Sequence, residues 1–284
     1  MDGDGNKDVL ITGDNNNSDP TATLYLGHGD GTFSEAGADL IGVFNGSTSI
    51  ADIDNDGNKD VLIAGGGSTT LYLGNGDGSF SEAGAGLDGF DLGSTSVGDI
   101  NNDGDKDLLL TGRHGSFPNR DPTTTLYLGN GDGSFSKASA GLVGVSWSST
   151  SIADVDNDGS QDLLITGNTT DGTVGADPTV KLYLGNGDGT FSEAAAELTG
   201  VWGSSTSIGD IDGDENQDLL ITGRDAEDNP TATLYLGAGD GTFSKADAGL
   251  TGVINGSTSI VDIYGDGDED LLITGGEGRA FRFR

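Results

Sequence analysis

Cysteine is absent from this 284-residue chain, proline occurs only 5 times and histidine only twice. Without cysteine no disulfide can hold the fold, so a version working outside the cell needs another staple. The shortage of His and Cys also removes most of the usual nucleophile–base pairs. Basic residues are few, 12 against 47 acidic ones, for a formal charge of −35. A field of that sign repels nucleic acid and anionic membrane surfaces, so neither is an expected partner. No run approaches the ~20 apolar residues of a membrane span. Met1 leads directly into Asp-Gly-Asp-Gly, without the basic and apolar regions of a signal peptide.

What the chain has is glycine, 52 residues, with 33% hydrophobic residues. That balance suits many short strands and turns, and an all-β fold is expected. One pattern recurs throughout, with copies starting near 1, 52, 99, 154, 210 and 262. The spacings of the last five are 47, 55, 56 and 52, the period of propeller blades and far from that of nine-residue β-rolls. No linker interrupts the series, so residues 1–284 read as a single β-propeller domain of six repeats. Ser49-Ile50-Ala51 reads as strand a, Val61–Ala64 as a buried strand b, and Thr70–Leu73 as strand c. The Gly74–Gly78 segment supplies a tight turn, and the stretch from Ser79 toward Leu87 carries strand d. Each copy is thus a four-stranded antiparallel blade. The first copy lacks strand a, and residues 279–284, with Phe281 and Phe283, match strand c of the sixth. The terminal blades are therefore expected to be incomplete, open to pairing with each other or between chains. The chain is expected to be a portion of something longer.

The second copy reads Asp52-Ile53-Asp54-Asn55-Asp56-Gly57-Asn58-Lys59-Asp60, with carboxylates at loop positions 1, 3, 5 and 9. Alternate residues of a tight loop can point oxygens at one centre, which suits the six to eight oxygen ligands of Ca²⁺. The fourth loop is as complete, with Asp154, Asp156, Asp158 and Asp162. The fifth has Asp210, Asp212, Asp214 and Asp218, but Glu215 replaces the turn glycine. The third keeps Asp99, Asp103 and Asp107 with Asn101 at position 3. The sixth has Tyr264 between Asp262 and Asp266, followed by Asp270, and the first retains Asp2, Asp4 and Asp8. These two are expected to be the weakest. Ligand positions and Gly-Asp-Gly turns absorb 26 of the 47 acids, so the charge requires no salt-adapted source. At a Kd of ~10⁻⁴ M, millimolar Ca²⁺ adds about 1.4 kcal/mol per site, and four to six ions contribute roughly 6–8 kcal/mol. That repetition suits a structural role better than catalysis.

The unit Gly-Ser-Thr-Ser-Ile-Ala-Asp-Ile-Asp-Asn-Asp-Gly-Asn-Lys-Asp-Val-Leu-Ile-Ala-Gly, residues 46–65, resembles the FG-GAP and VCBS repeats of integrin α-chain propellers and their microbial relatives. The likeness covers essentially the whole chain. It departs at the Gly-Ala-Pro element, where this chain has Thr-Gly or Ala-Gly, and so lies nearer the microbial branch. The resemblance implies an innermost strand a, Ca²⁺ in the a–b loops and ligand recognition at the opposite end of the blades.

In an up-and-down meander the a–b and c–d loops share one face, while b–c and d–a loops share the other. The second face collects what varies between copies, including Trp147, Trp202, Arg113, His114 and Arg120. Those residue types suit stacking and hydrogen bonding to a glycan or an extracellular protein. The leading expectation is a calcium-binding recognition or adhesion module, not an enzyme, at the cell surface or outside the cell, where weak Ca²⁺ sites fill. One alternative is a self-assembling unit of a surface layer or filament. The other is a propeller-type polysaccharide lyase or hydrolase, with His114, Arg113 and Arg120 as its acid–base group. His28 occupies a turn position filled elsewhere by Asn75, Asn130, Asn186 and Ala238, and reads as a turn variant.

Overall fold

The computed structural model describes residues 1–15, 19–115, 120–170 and 175–276. The strand expected over residues 279–284 lies outside them. All regular structure among the described residues is β, in six antiparallel sheets. The first holds β1 (Val9–Asp14), β2 (Pro20–Gly27) and β3 (Phe33–Glu35). The second holds β4 (Ser47–Ala51), β5 (Asp60–Gly65), β6 (Ser68–Gly74) and β7 (Phe80–Ala83). The third holds β8 (Thr95–Gly98), β9 (Asp107–His114), β10 (Asp121–Gly129) and β11 (Phe135–Ala138). The fourth holds β12 (Ser146–Ala153), β13 (Asp162–Asn168), β14 (Pro178–Gly185) and β15 (Phe191–Glu193). The fifth holds β16 (Trp202–Gly209), β17 (Asp218–Arg224), β18 (Pro230–Gly237) and β19 (Phe243–Lys245). The sixth holds β20 (Ile254–Val261) and β21 (Asp270–Gly276). Within every sheet the strands pair in chain order, so each complete sheet is the four-stranded meander of a propeller blade. No helix among the described residues is long and apolar enough to cross a membrane.

Contacts divide the chain into two compact units, Met1–Asp99 with Asp103–Ser139, and Ile100–Asn102 with Ala140–Arg284. In the first unit, the second strand of each four-stranded blade, β5 and β9, is buried on both faces, which is why it reads as an unbroken apolar run. Val61, Leu62 and Ile63 are each fully buried. Side chains alternate across a strand, so Val61 and Ile63 pack with Val43, Leu10 and Ala22 on one side. Leu62 packs with Leu108, Leu110 and Tyr127 of the next blade on the other. The second unit repeats this arrangement, with Leu164 of the fourth blade against Leu219, Ile221 and Tyr235 of the fifth. The core is thus a series of layers between adjacent sheets. In the first blade the corresponding positions are open: Val9 and Ile11 of β1 are 40% and 55% exposed.

Two polar devices tie blades together within each unit. The Thr of one blade's Ser-Thr-Ser triplet lies between the two Ser hydroxyls of the preceding blade. Thr95 meets Ser47 and Ser49 at 3.1 and 2.7 Å, and Thr206 meets Ser149 and Ser151 at 3.0 and 2.7 Å. Thr258 does the same with Ser205 and Ser207. Farther out, a tyrosine hydroxyl accepts a backbone N–H from the crossing segment that follows the preceding blade. The pairs are Ile41 to Tyr72, Asp88 to Tyr127, Val143 to Tyr183 and Thr199 to Tyr235, at 2.9–3.0 Å.

Candidate functional site

The Asp-rich loops turn through two left-handed residues, at positions 4 and 6. Asn55, Asn102 and Asn157 have φ near 60°, Gly213 and Gly265 have φ of 76° and 71°, and Gly57 and Gly159 have φ of 90° and 87°. Asn and Gly are the residues that adopt this region at least cost. Glu215 stands at position 6 of the fifth loop with φ 70°, a strained conformation for a side chain that is not glycine. The position 1 carboxylate closes each turn by accepting the position 6 N–H, from Gly57 to Asp52 at 3.1 Å, Gly159 to Asp154 at 3.0 Å and Glu215 to Asp210 at 2.9 Å.

The position 9 carboxylate braces the blade. Asp60 is fully buried and accepts Ile53 N–H at 2.6 Å and Gly74 N–H at 2.8 Å, fastening the a–b loop to the end of strand c. Asp162 does this with Val155 and Gly185, and Asp218 with Ile211 and Gly237. Asp107 accepts Gly129 N–H at 2.8 Å. The a–b and c–d loops therefore share one face of each blade.

Positions 1, 3 and 9 converge. Asp52, Asp54 and Asp60 bring one oxygen each within 4.8 Å of one another, as do Asp154, Asp156 and Asp162, and Asp210, Asp212 and Asp218. Among the described residues these are the three-carboxylate clusters. Three negative groups held this closely repel one another, and burial adds to the cost of their charge. Burial, then the charge of Asp60, raises the Asp54 carboxyl above its usual range. Burial also raises Asp156 and Asp212, and pushes Asp162 up to about 6. Asp52 Oδ1 is buried with no hydrogen-bond partner. An orphaned acceptor among mutually repelling carboxylates is what a hard cation would satisfy, and an all-oxygen donor set suits Ca²⁺. A cleft of about 460 Å³, lined by Asp210, Asp212, Asp268 and Glu269, opens beside the fifth loop.

Position 5 also caps a local turn. Asp56 accepts both the backbone N–H and the side-chain amide of Asn58, at 2.7 and 2.9 Å, and Asp214 does the same for Asn216. Asp158 accepts Ser160 N–H at 2.7 Å and Asp103 accepts Asp105 N–H at 2.9 Å. Asp56, Asp158 and Asp214 lie outside the three-carboxylate clusters, and the Asn58 amide is committed to Asp56. The position 7 side chain also abuts the first glycine of the Gly-Asp-Gly turn. A Cβ at Gly76 would lie 2.4 Å from Asn58 Oδ1, and one at Gly131 2.4 Å from Asp105 Oδ1. Neighbouring loops are joined through position 4: Asn55 donates to Asp105 at 2.7 Å and Asn157 to Asn216 at 3.1 Å. The Asp of each Gly-Asp-Gly turn is held low by the hydroxyl it accepts, as Asp77 is by Ser79.

The remaining loops are less convergent. In the first, Asp8 pairs with the Met1 amino group and accepts Gly27 N–H, Asp2 accepts Asp4 N–H, and Asp4 caps Asn6. In the third, Asp99 accepts Gly104 N–H at 3.0 Å, and Asn101 stands where a third carboxylate would complete the set. In the sixth, Asp262 accepts three backbone N–H groups, Asp266 caps Asp268 and Asp270 accepts Ile263 N–H. Its position 3 residue, Tyr264, is 82% exposed.

At the other end of the blades, Trp147 and Trp202 of the second unit meet edge to face, with ring centroids 6.1 Å apart. The Arg224 guanidinium lies 5.6 Å from the Trp202 ring centre and donates to Asp228 at 2.8 Å. Neither Arg224 nor Asp228 was evident from sequence; the signal for Arg224 is its register, pairing with Trp202 across β16 and β17. In the first unit, Arg120 pairs with Asp91 at 3.1 Å, and the exposed His114 ring packs near Phe90 with Nδ1 3.0 Å from the Gly89 carbonyl. Arg113 pairs through its backbone with Asp91, and its Nε is buried without a partner.

Comparison with known proteins agrees with the repeat and the blade. A solved chain of an Agrocybe aegerita lectin, described as specifically recognising non-reducing terminal N-acetylglucosamine, superposes with a TM-score of 0.62 at 20% identity, covering 95% of this chain and 75% of that one. At that identity the likeness is one of fold. No curated protein sequence matches significantly. The FG-GAP-like repeat matches four overlapping segments, residues 52–110, 99–165, 154–221 and 210–273, each opening on the first Asp of a loop. A chain matched over most of its length by this repeat, and folded into four-stranded blades, belongs to the FG-GAP-like repeat family of β-propellers.

Proposed function

We propose that this protein is a calcium-stapled recognition propeller that binds glycans through the loops at the end of the blades opposite the Asp-rich face. The observation that carries the metal half is the Asp52, Asp54 and Asp60 cluster with its orphaned Asp52 Oδ1, and the same three-carboxylate cluster recurs in the fourth and fifth loops. Asp52, Asp54 and Asp60, and their counterparts, would hold Ca²⁺, and the ion would supply charge neutralisation for carboxylates that otherwise repel. The glycan half is supported by the half-buried aromatic pair on the variable face and by the fold shared with an N-acetylglucosamine-recognising lectin. Ca²⁺ sites of modest affinity would fill outside the cell and stay empty at cytosolic levels, which favours an extracellular or cell-surface location. We read it as a binding module, a reading supported by the place of His28 as an exposed turn residue and by the scarcity of other acid–base pairs.

The test is thermal unfolding in millimolar Ca²⁺ and in EGTA, with a count of bound ions, followed by a glycan array in Ca²⁺. A large drop in midpoint on chelation, with at least three ions bound, supports the staple; an unchanged midpoint with none bound refutes it. An array at background refutes the glycan reading. A second reading, assembly through terminal blades, is favoured by the exposure of Val9 and Ile11 on β1. Light scattering with a mass that rises with concentration would support it.

A further inference from the structure

The chain has only two tryptophans, Trp147 and Trp202, and the fold brings them together. They do not occupy equivalent places in the repeat. Trp202 pairs with Arg224 at the start of a β-bulge between Trp202 and Ser205. Trp147 is the left-handed residue inside the corresponding bulge of the fourth blade, with φ 50°. The same bulge position is held by Asn45, Gly203 and Asn255 in other blades, residues that tolerate positive φ, and by Leu92. A bulge re-aims a side chain. Here it turns one indole against its neighbour at an interplanar angle of 82°, and both rings remain only half-buried.

Behind Trp202 the arrangement is fixed in two steps. The Arg224 guanidinium stacks over the Trp202 ring, and Asp228 binds that guanidinium. The Arg224 side chain is 10% exposed and its charge is matched by Asp228. This cation is therefore an orienting group for the indole and is not offered to an anionic ligand. A partly exposed aromatic pair whose adjacent cation is already matched suits the apolar face that a pyranose presents through its axial C–H groups.

We infer that Trp147 and Trp202 form a stacking platform for a neutral pyranose, with Arg224 and Asp228 as positioning residues that hold Trp202. The inference rests on the reading of this face as a glycan-binding surface and names the site and sugar class within it. The two indoles being the chain's only ones, tryptophan emission and the near-ultraviolet circular dichroism of the pair report on this site alone.

The experiment titrates the full chain in Ca²⁺ with N-acetylglucosamine and its β-linked trimer, with glucose, and with glucuronate, reading emission and, independently, calorimetry. A saturable emission change with the neutral sugars is expected, and Trp147→Ala should lower affinity at least about tenfold. Trp147→Phe, which keeps a stacking face, should hold it within a few-fold. Arg224→Lys keeps the charge but loses the planar stack; it should weaken the paired-indole dichroism and lower affinity several-fold. An Arg224→Lys protein with a lower melting midpoint but unchanged affinity and dichroism would overturn the positioning role. Calorimetric sugar binding with silent emission, or binding untouched by Trp147→Ala, would overturn the platform and leave the glycan reading intact. Preference for glucuronate would overturn the neutral class. Absence of binding by either readout would overturn both.

Discussion

Two carboxylates of one loop should respond to the same chemical change in opposite ways, depending on whether metal is present. Asp60 is fully buried and both its oxygens accept backbone N–H groups, from Ile53 and Gly74. Asp60→Asn converts one of those acceptors into a donor, so one buried N–H loses its partner. That costs about 1–3 kcal/mol with or without Ca²⁺, a fall in Tm on the order of 2–12 °C. Asp54 accepts only a long contact from Asp56 N–H, at 3.2 Å, and its carboxyl is raised by burial and by the Asp60 charge. Asp54→Asn therefore removes repulsion in the metal-free protein, and its Tm in EGTA should equal or exceed that of the parent. In millimolar Ca²⁺ the same variant should lose up to about 1.4 kcal/mol, the linkage contribution of one site at a Kd of ~10⁻⁴ M. Differential scanning calorimetry of both variants in Ca²⁺ and in EGTA decides the matter. Equal destabilisation of Asp54→Asn in the two buffers would refute the assignment of Asp54 as a ligand, and an Asp60→Asn midpoint unchanged in EGTA would refute the brace.

Other expectations are as direct. Glu215→Gly should raise stability by about 1 kcal/mol, since φ 70° suits glycine and strains glutamate; a lower urea midpoint would count against this. Thr206→Val removes the oxygen shared by Ser149 and Ser151 and should cost about 1 kcal/mol in the same assay. The metal-free protein should lose stability as pH rises from about 4 to 6. Asp162 is pushed up to about 6, chiefly by burial, so the folded state holds its proton through a range where the unfolded chain has released it. By the same linkage Ca²⁺ binding should weaken below pH 6 and release protons above background, measurable by calorimetry in two buffers; pH-independent affinity from 5 to 7 would contradict it.

Much of this was legible in the residues because it is local or repeated. The run Val61–Ala64 announces a strand covered on both faces, and the Asp spacing of 1, 3, 5 and 9 announces convergent oxygens, of which those at 1, 3 and 9 come together. The position 4 turn was legible in principle, because Asn or Gly fills it in every copy, from Gly3 to Gly265. What depends on a second blade was not. Nothing in Ser-Thr-Ser says that Thr95 will lie between Ser47 and Ser49, and nothing in Leu-Tyr-Leu says that Tyr127 will cap Asp88. The bulge that turns Trp147 is a property of its register against β13, which no single-strand pattern contains. Position 5 adds something no residue count contains: Asp56 has the residue type of a ligand, and the fold also has its carboxylate accept the Asn58 N–H and amide.

The two ends of each blade therefore tolerate change very differently. At the Asp-rich end almost every carboxylate already holds a backbone group, as Asp52 holds Gly57 and Asp60 holds Gly74, so an altered ligand alters folding as well. At the other end one register position carries Gly66, Arg113, Asn168 and Arg224 in successive blades, yet β5, β9, β13 and β17 remain buried and paired alike. Differences at that position leave the strand pairing beneath it unchanged. Repulsion among the clustered aspartates is a cost confined to the first end, and the proposed cation would remove it. Recognition can then be specified at the second end, where Trp147 accepts backbone strain because the blade beneath it is already fixed.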